Sequence, residues 1–271
     1  QTDSGGRSSC LTGSFRKLRV EMRMEMAEMI RVLHVLGGVG PGGAESRIMD
    51  LYRQMDREKI QFDFLVHSSA IKHAGDDPKL RKPEFYDEEI QRLGGRIYVL
   101  PKFRVYNYFS YKKAIRRFFR EHREFRIVQG HMTSTAGIYL PIARKYGVPV
   151  TIAHSRNAGV EKGLQGIATR FFRRNLAGKA DVLLACSALA GEDVFGSRAM
   201  QEGRVKIVHN AIDVKKFLFD PKQRDALRAE LGIEDMLVLG HVGRFNYQKN
   251  HPFLIDIFAQ VSQKRQDAAL V

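Results

Sequence analysis

Ile30-Arg-Val-Leu-His-Val-Leu36, then Gly37-Gly-Val-Gly-Pro-Gly-Gly43, then Ala44-Glu-Ser-Arg-Ile-Met-Asp-Leu-Tyr-Arg-Gln-Met55 follow one another without a break. The first run is short, apolar and β-rich. The second is a glycine turn, and the third places Ile48, Leu51, Tyr52 and Met55 on one helical face. Strand, glycine turn and helix form the opening unit of a parallel α/β sheet. The alternation continues downstream. Apolar runs at 61–66, 96–100, 127–128, 148–153, 180–185 and 205–208 predict strands, and helical spacing at 88–93, 111–122, 136–146 and 167–177 predicts helices between them. The expected class is α/β, with a parallel sheet covered by helices on both faces. A second start follows, with a helix over 221–231, a strand over 236–242, a helix over 252–263 and a strand opening at 268. Two Rossmann-like domains with parallel sheets are therefore expected, one over residues 30–210 and an incomplete one over 211–271.

Residues 1–29 stand outside this pattern. They are Gly/Ser-rich, then mix charges with methionines, and lack the continuous apolar core of a signal peptide. They read as a disordered or artefactual tail, with a short amphipathic anchor as the alternative. No apolar run reaches the roughly 18 residues that a membrane-spanning helix needs. Cys10 and Cys186 are too few for a disulfide framework, which points to a reducing, cytoplasmic compartment. The net charge of +15 calls for an anionic partner: a nucleotide, a membrane surface or a nucleic acid.

Four places carry candidate chemistry. Gly38, Gly40 and Gly43 satisfy G-x-G-x-x-G at a helix N-terminus, where backbone N–H groups and the helix dipole favour an anion. A dinucleotide site also wants an acid after the second strand, and Val66-His67-Ser68 supplies none. A plain flexible turn stays open as the alternative. His131, in Gln129-Gly-His-Met-Thr133, and His154, in Ala153-His-Ser-Arg-Asn157, end strands where open sheets bind ligands. Either histidine can equally be an ordinary satisfied side chain, and their spacing suggests no metal. Arg244 and Lys249 flank the loop Gly243-Arg-Phe-Asn-Tyr-Gln-Lys-Asn250 after the strand of the second start, a cradle for a diphosphate or a solvated basic loop. Finally, residues 102–126 hold nine Lys/Arg against two Glu, with eight aromatics. Tyr111, Ala114, Ile115, Phe118 and Phe119 form one helical face, expected in the core. Lys112, Lys113, Arg116, Arg117 and Arg120 form the other, which is either solvated or laid on anionic lipid.

Gly42-Gly-Ala-Glu45, Cys186-Ser187, Asn210-Ala-Ile-Asp213, Gly243-Arg-Phe245 and Gln248-Lys-Asn250, in this order, resemble the family 4 glycosyltransferases of the GT-B fold, above all bacterial enzymes that build capsular or exopolysaccharide. The resemblance implies transfer of a sugar from a nucleotide-sugar donor to a glycan or lipid-linked acceptor, with retention at the anomeric carbon and without a metal or other cofactor. It implies that Gly42 and Gly43 face the acceptor and the donor phosphates. His131 would stand beside the donor sugar as the catalytic-site histidine, and Arg244 and Lys249 would neutralise the departing diphosphate. Family members often work at the inner membrane face, so a cytoplasmic, peripheral location and contact with an anionic membrane are expected. The family's Glu-x7-Glu motif would lie past Val271, so the 271-residue chain is expected to have little activity by itself.

Two other classes compete. A basic membrane- or nucleic-acid-binding module without transferase activity would use the charge alone. No zinc finger or RNA-binding aromatic pair is visible, and nucleic acid is not an expected partner. A nicotinamide-dependent oxidoreductase is disfavoured by the missing acid after the second strand.

Overall fold

A computed structural model describes residues 29–73, 75–157, 159, 164–243, 245 and 247–271. The tail reading for 1–29 therefore falls, but for Met29, outside the described residues. The chain divides into two compact units, Gln1–Ile212 and Asp213–Val271, described in turn.

In the first unit seven strands form one sheet: β1 Ile30–Val35, β2 Ile60–Ser68, β3 Ile97–Pro101, β4 Phe125–Gly130, β5 Val150–Ser155, β6 Val182–Ala185 and β7 Val205–Ile207. Their order is β3-β2-β1-β4-β5-β6-β7, and every neighbouring pair is parallel. The helices between them are α1 Gly43–Gln54, α2 Asp87–Arg92, α3 Tyr108–Glu121, α4 Thr133–Lys145, α5 Leu164–Arg173, α6 Ala188–Phe195 and α7 Ser197–Gln201. This is a Rossmann-like parallel α/β sheet.

The period-two alternation of a strand divides the core between the two faces of the sheet. Val32, Phe62, Phe64 and Val66 pack with Ile48, Met49 and Tyr52 of α1 and Ile90 of α2. Leu33, Val35 and Leu65 point the other way, into the cluster built by α3 and α4. Because both faces are covered, the apolar residues of β1 and β2 point to both sides of the sheet rather than to one. The aromatic side of α3 is buried as its spacing requires: Tyr111, Ala114, Ile115, Phe118 and Phe119 are all in the core.

Asp63 and His67 are polar side chains of β2 that are buried with their hydrogen bonds satisfied. Asp63, completely buried, accepts from Arg31 Nε and Nη2 at 2.7 Å each. It also accepts from the backbone N–H of Arg96 at 2.7 Å. His67 is locked at the end of β2: its Nδ1–H donates to the Leu36 carbonyl and its Nε2 accepts from the Tyr111 hydroxyl, both at 2.9 Å.

Helices α6 and α7, absent from the sequence expectation, fill the stretch between β6 and β7. Ser187 caps α6 by accepting from the Ala190 N–H. Gly196, at φ 84°, breaks the pair apart. The two pieces are too short, and Gly191 too disruptive, for a 3.6-residue period to stand out.

The second unit contains α8 Pro221–Leu231, β8 Leu237–Leu239, α9 His251–Lys264 and β9 Ala268–Leu270. β8 and β9 pair in parallel, Leu237 opposite Ala268. Asp220 caps α8 and Gly232, in the left-handed region, ends it.

Candidate functional site

The order β3-β2-β1-β4-β5 reverses direction between β1 and β4. Loops leaving the C-terminal ends of those two strands diverge and leave a crevice, the usual ligand position in such sheets. The glycine loop leaves β1 and His131 leaves β4. The His131 N–H donates to the Val35 carbonyl at 3.0 Å, which fixes the two ends side by side.

The loop has a tied half and an open half. Its beginning is bound to neighbours: the Gly37 carbonyl accepts from His67 N at 3.3 Å, and the Val39 carbonyl accepts from Tyr86 N at 3.1 Å. The Glu84 carboxylate accepts from the Val39 N–H and lies where a side chain on Gly38 would have to go. Glu84 is in turn paired with buried Arg81 at 3.1 Å. An acid thus reaches the glycine loop after all, from the segment before α2 rather than from the end of β2. The later half is open. A Cβ on Gly40 or Gly43 would meet nothing within 4 Å, and neither glycine has a left-handed φ. Packing does not require glycine at these two places, whereas close approach of a ligand backbone or phosphate would. Gly42 is the N-cap residue of α1, and no side chain caps the helix. The Glu45 carboxylate folds back over Gly42, where a Cβ would stand 2.1 Å from Oε2.

His131 belongs to a cluster drawn from three neighbouring strands. Its Nε2 is 3.0 Å from Nδ1 of His34 in β1. Its Nδ1 is 3.3 Å from Nε of Arg156, just past β5. His154 of β5 lies near it, ring centroids 5.4 Å apart, and the Gln129 amide nitrogen is 3.0 Å from His154 Nδ1. Arg156 Nη1 also reaches Asn210 Oδ1 at 3.2 Å, and Cys186 Sγ donates to the Arg156 carbonyl at 3.1 Å. Gly130 sets the height of His131. A Cβ there would sit 2.2 Å from the Tyr139 hydroxyl, and Tyr139 is fully buried.

Burial is the main force on these rings. It lowers His34 and His154 to about 3, with Arg156 pushing in the same direction. His131 is lowered well below the usual histidine value by burial and by His34, Arg156 and His154. Burial also lowers Arg156, against the raising influence of Cys186 and Glu45. The cluster at neutral pH is therefore three neutral imidazoles around one guanidinium.

Of the residues singled out in the sequence, Gly42, Gly43 and His131 come together on this rim, and His154 joins them. Lys249 lies in the second unit, at the end of a short turn, Tyr247–Lys249, that precedes α9. Its stem crosses Gly243, where a Cβ would be 3.1 Å from Lys249 Cγ and Cδ. Arg244 lies outside the described residues. His34, Glu84 and Arg156 were not singled out in the sequence. A histidine inside an otherwise apolar strand was the available signal for His34. Nothing local marks Glu84. Among the described residues no group of three or more His, Cys, Asp or Glu could hold a metal ion, and no helix is long and apolar enough to cross a membrane.

Away from this rim, the exposed side of α3 lines a cavity of about 540 Å³ with Lys113, Arg116, Arg117 and Arg120, faced by Lys72 and His73. Val105, Tyr106 and Phe109 before and at the start of α3 are exposed, as are Ile167 and Phe171 of α5.

Comparison with known proteins places this architecture. The sequence profile of Glycosyltransferase Family 4 matches residues 41–216. The chain is 36% identical over 238 residues to the glycosyltransferase EpsF of Bacillus subtilis (strain 168), covering 86% of this chain and 59% of EpsF. It is 21% identical over 233 residues to the capsular polysaccharide biosynthesis glycosyltransferase CapH of Staphylococcus aureus, covering 84% and 57% of the two. Among solved structures, Anabaena HepE in complex with UDP-glucose superposes with a TM-score of 0.62 at 18% identity, over 89% of this chain and 59% of that one. The chain thus spans 57–59% of the length of these curated relatives.

Proposed function

The chain belongs to glycosyltransferase family 4, and from that premise we propose that the protein of family length transfers a sugar from a nucleotide-sugar donor to a glycan or lipid-linked acceptor in surface polysaccharide synthesis. The observation that carries this reading is the open half of the glycine loop. Gly40 and Gly43 have no packing reason to be glycine, and they stand at the strand-order reversal beside His131. HepE, of the same fold, was crystallised with UDP-glucose, and a nucleotide sugar is the donor we assign here.

Retention follows if the acceptor attacks from the face the diphosphate leaves. Arg244 and Lys249 then neutralise the leaving group, without a metal, while Gly42 and Gly43 let acceptor and donor phosphates approach. His131 contacts the donor sugar. In a family-length enzyme, Gly43→Ala is expected to leave the melting temperature unchanged and to reduce kcat/KM at least about 10-fold. Lys249→Ala is expected to reduce kcat by about 100-fold, the scale of removing one preorganised donor to a developing charge. EDTA should change neither rate. Wild-type turnover of UDP- and GDP-sugars, assayed by released nucleotide diphosphate, checks the whole reading; full activity in both variants would overturn these roles. The 271-residue stretch alone is expected to turn over far more slowly than a chain of the relatives' length.

The partner reading extends to an anionic membrane, with the protein cytoplasmic and peripheral. Lys113, Arg116, Arg117 and Arg120 share one exposed stripe of α3, and Phe109, 84% exposed, begins the same stripe. Cations in a row with an aromatic at one end suit lipid phosphates and the acyl boundary. Vesicles containing phosphatidylglycerol should co-sediment the chain and phosphatidylcholine vesicles should not. The pair Arg116→Glu and Arg120→Glu should weaken binding about 10-fold or more, at roughly 1 kcal/mol per basic residue. Equal binding to both vesicles would refute this contact.

A further inference from the structure

The hydrogen bonds around His131 run in one direction. Arginine only donates. Arg156 Nε, 3.3 Å from His131 Nδ1, therefore needs that nitrogen unprotonated. A neutral imidazole then carries its hydrogen on Nε2, and Nε2 faces His34 Nδ1 at 3.0 Å. His34 must accept there, so its own hydrogen is on Nε2. That Nε2 is buried and has no partner among the described residues. It sits in a ring-lined site, with the Phe62 ring edge-on at a centroid distance of 4.2 Å and Phe64 stacked at 5.8 Å. An uncharged N–H against such a wall costs far less than the charge that a second proton on His34 would bury there.

The two partners differ in exposure. His34 is 2% exposed, inside the sheet. Arg156 is half-buried and extends to exposed Asn210. The inner nitrogen of His131 is thus Nε2 and the outer one is Nδ1.

We propose that Arg156 and His34 are positioning residues that hold His131 in its Nε2–H tautomer, with Nδ1 accepting from Arg156 and Nε2–H given to His34, so that the ring presents no N–H to the rim. With the single Nδ1 lone pair accepting from Arg156, a substrate hydroxyl can give its hydrogen to Nδ1 only by displacing the Arg156 Nε–H. A ligand group that can only accept, such as an ether or a ring oxygen, finds no partner there. This substrate half rests on the transferase reading; the tautomer itself does not. The charged and titratable groups facing the cluster support one arrangement. His34 comes from β1, Gln129 and His131 from β4 and its end, and His154 and Arg156 from β5 and its end. Glu45 of α1 and Cys186 after β6 act on Arg156. Among the described residues, the full charge inside the ring of histidines is the Arg156 guanidinium, which opposes any proton added to them.

Long-range proton–nitrogen correlation spectra of the 271-residue chain test this without any assay of activity. The expected wild-type result is a pyridine-type Nδ1 and a pyrrole-type Nε2 for His131, unchanged from pH 8 to pH 6. Arg156→Ala should remove the preference, with both nitrogens moving to averaged shifts and the ring titrating closer to the ordinary histidine value. Where Arg156→Ala does not fold, Arg156→Gln keeps a polar group that can accept as well as donate and should give the same averaging. A wild-type His131 protonated at Nδ1, or titrating near pH 6.5, overturns the proposal. So does an unchanged tautomer in both variants. A locked tautomer in a family-length protein that turns over no nucleotide sugar would instead sink the transferase reading and leave the lock standing.

Discussion

Lowering the pH from 6.5 toward 4.5 is expected to unfold the first unit, with buried histidines rather than carboxylates setting the midpoint. His34 and His154 are lowered to about 3 and His67 to about 4, in each case chiefly by burial. His131 is lowered well below its usual value by burial and by the charges around it. In the unfolded chain all four regain a value near 6.5. Between the folded and unfolded values the unfolded state binds more protons, so stability rises with pH in that window. The contribution is complete above about pH 6.5 and is lost as the pH falls toward the folded values. Each histidine costs ~1.4 kcal/mol per pH unit below its unfolded value, so the four together cost ~6 kcal/mol at pH 5.5. That is comparable with the whole stability of many domains, ~5–15 kcal/mol. Urea unfolding followed by far-ultraviolet circular dichroism at half-unit pH steps measures the slope, which should approach four protons near pH 5. His67→Gln should reduce the slope by about one proton at the expense of the Leu36 and Tyr111 hydrogen bonds. A stability that is flat from pH 7 to pH 4.5 would show that these rings are solvated.

The element order was legible because the strands of the first unit carry apolar residues into the core and helices such as α3 bury one face. Ile30–Val35 therefore carries an apolar run, and α3 carries Tyr111, Ala114, Ile115, Phe118 and Phe119 at helical spacing. Such patterns depend only on near neighbours in sequence. The pair α6 and α7 escaped because glycine interrupts it within two turns. The site was legible in part for the same reason. Gly42 and Gly43 follow the apolar run of β1, and a strand end followed by a turn is a local signal. The cluster around His131 is different. His34 is 97 residues before it, and Arg156 is 25 residues after it. They meet only because β1, β4 and β5 are neighbours in the sheet, an arrangement that no local period encodes. Glu84 reaches Val39 across 45 residues by way of a loop stapled by the Arg81–Asp87 pair, again without a local pattern.

Replacing Arg31 by methionine destabilises the first unit by ~3–5 kcal/mol, the usual effect of leaving a buried charge without its partner. Asp63 is wholly inaccessible, and both its oxygens are held by the Arg31 guanidinium in a bidentate pair. The Arg96 N–H, the other donor to the carboxylate, carries no net charge. In the Arg31→Met variant the carboxylate must either keep its charge in an apolar surrounding or take up a proton, and both routes cost stability. Asp63→Asn combined with Arg31→Met removes the charge and retains an oxygen for the Arg96 N–H. The double variant should therefore be more stable than Arg31→Met alone, although removing two interactions would ordinarily cost more than removing one. A double-mutant cycle from urea midpoints gives the coupling, expected at ~2–3 kcal/mol. Additive losses would mean that water reaches Asp63 and that the pair is no stronger than one on the surface. The position of this pair also separates stability from chemistry. Arg31 enters the sheet at the beginning of β1, whereas the glycine loop and His131 leave at the C-terminal ends of β1 and β4. Folded molecules of the Arg31→Met variant should keep the wild-type tautomer at His131, because nothing that holds that ring passes through Asp63. A variant that lost both would place the core and the rim in one cooperative network rather than at opposite ends of the same strands.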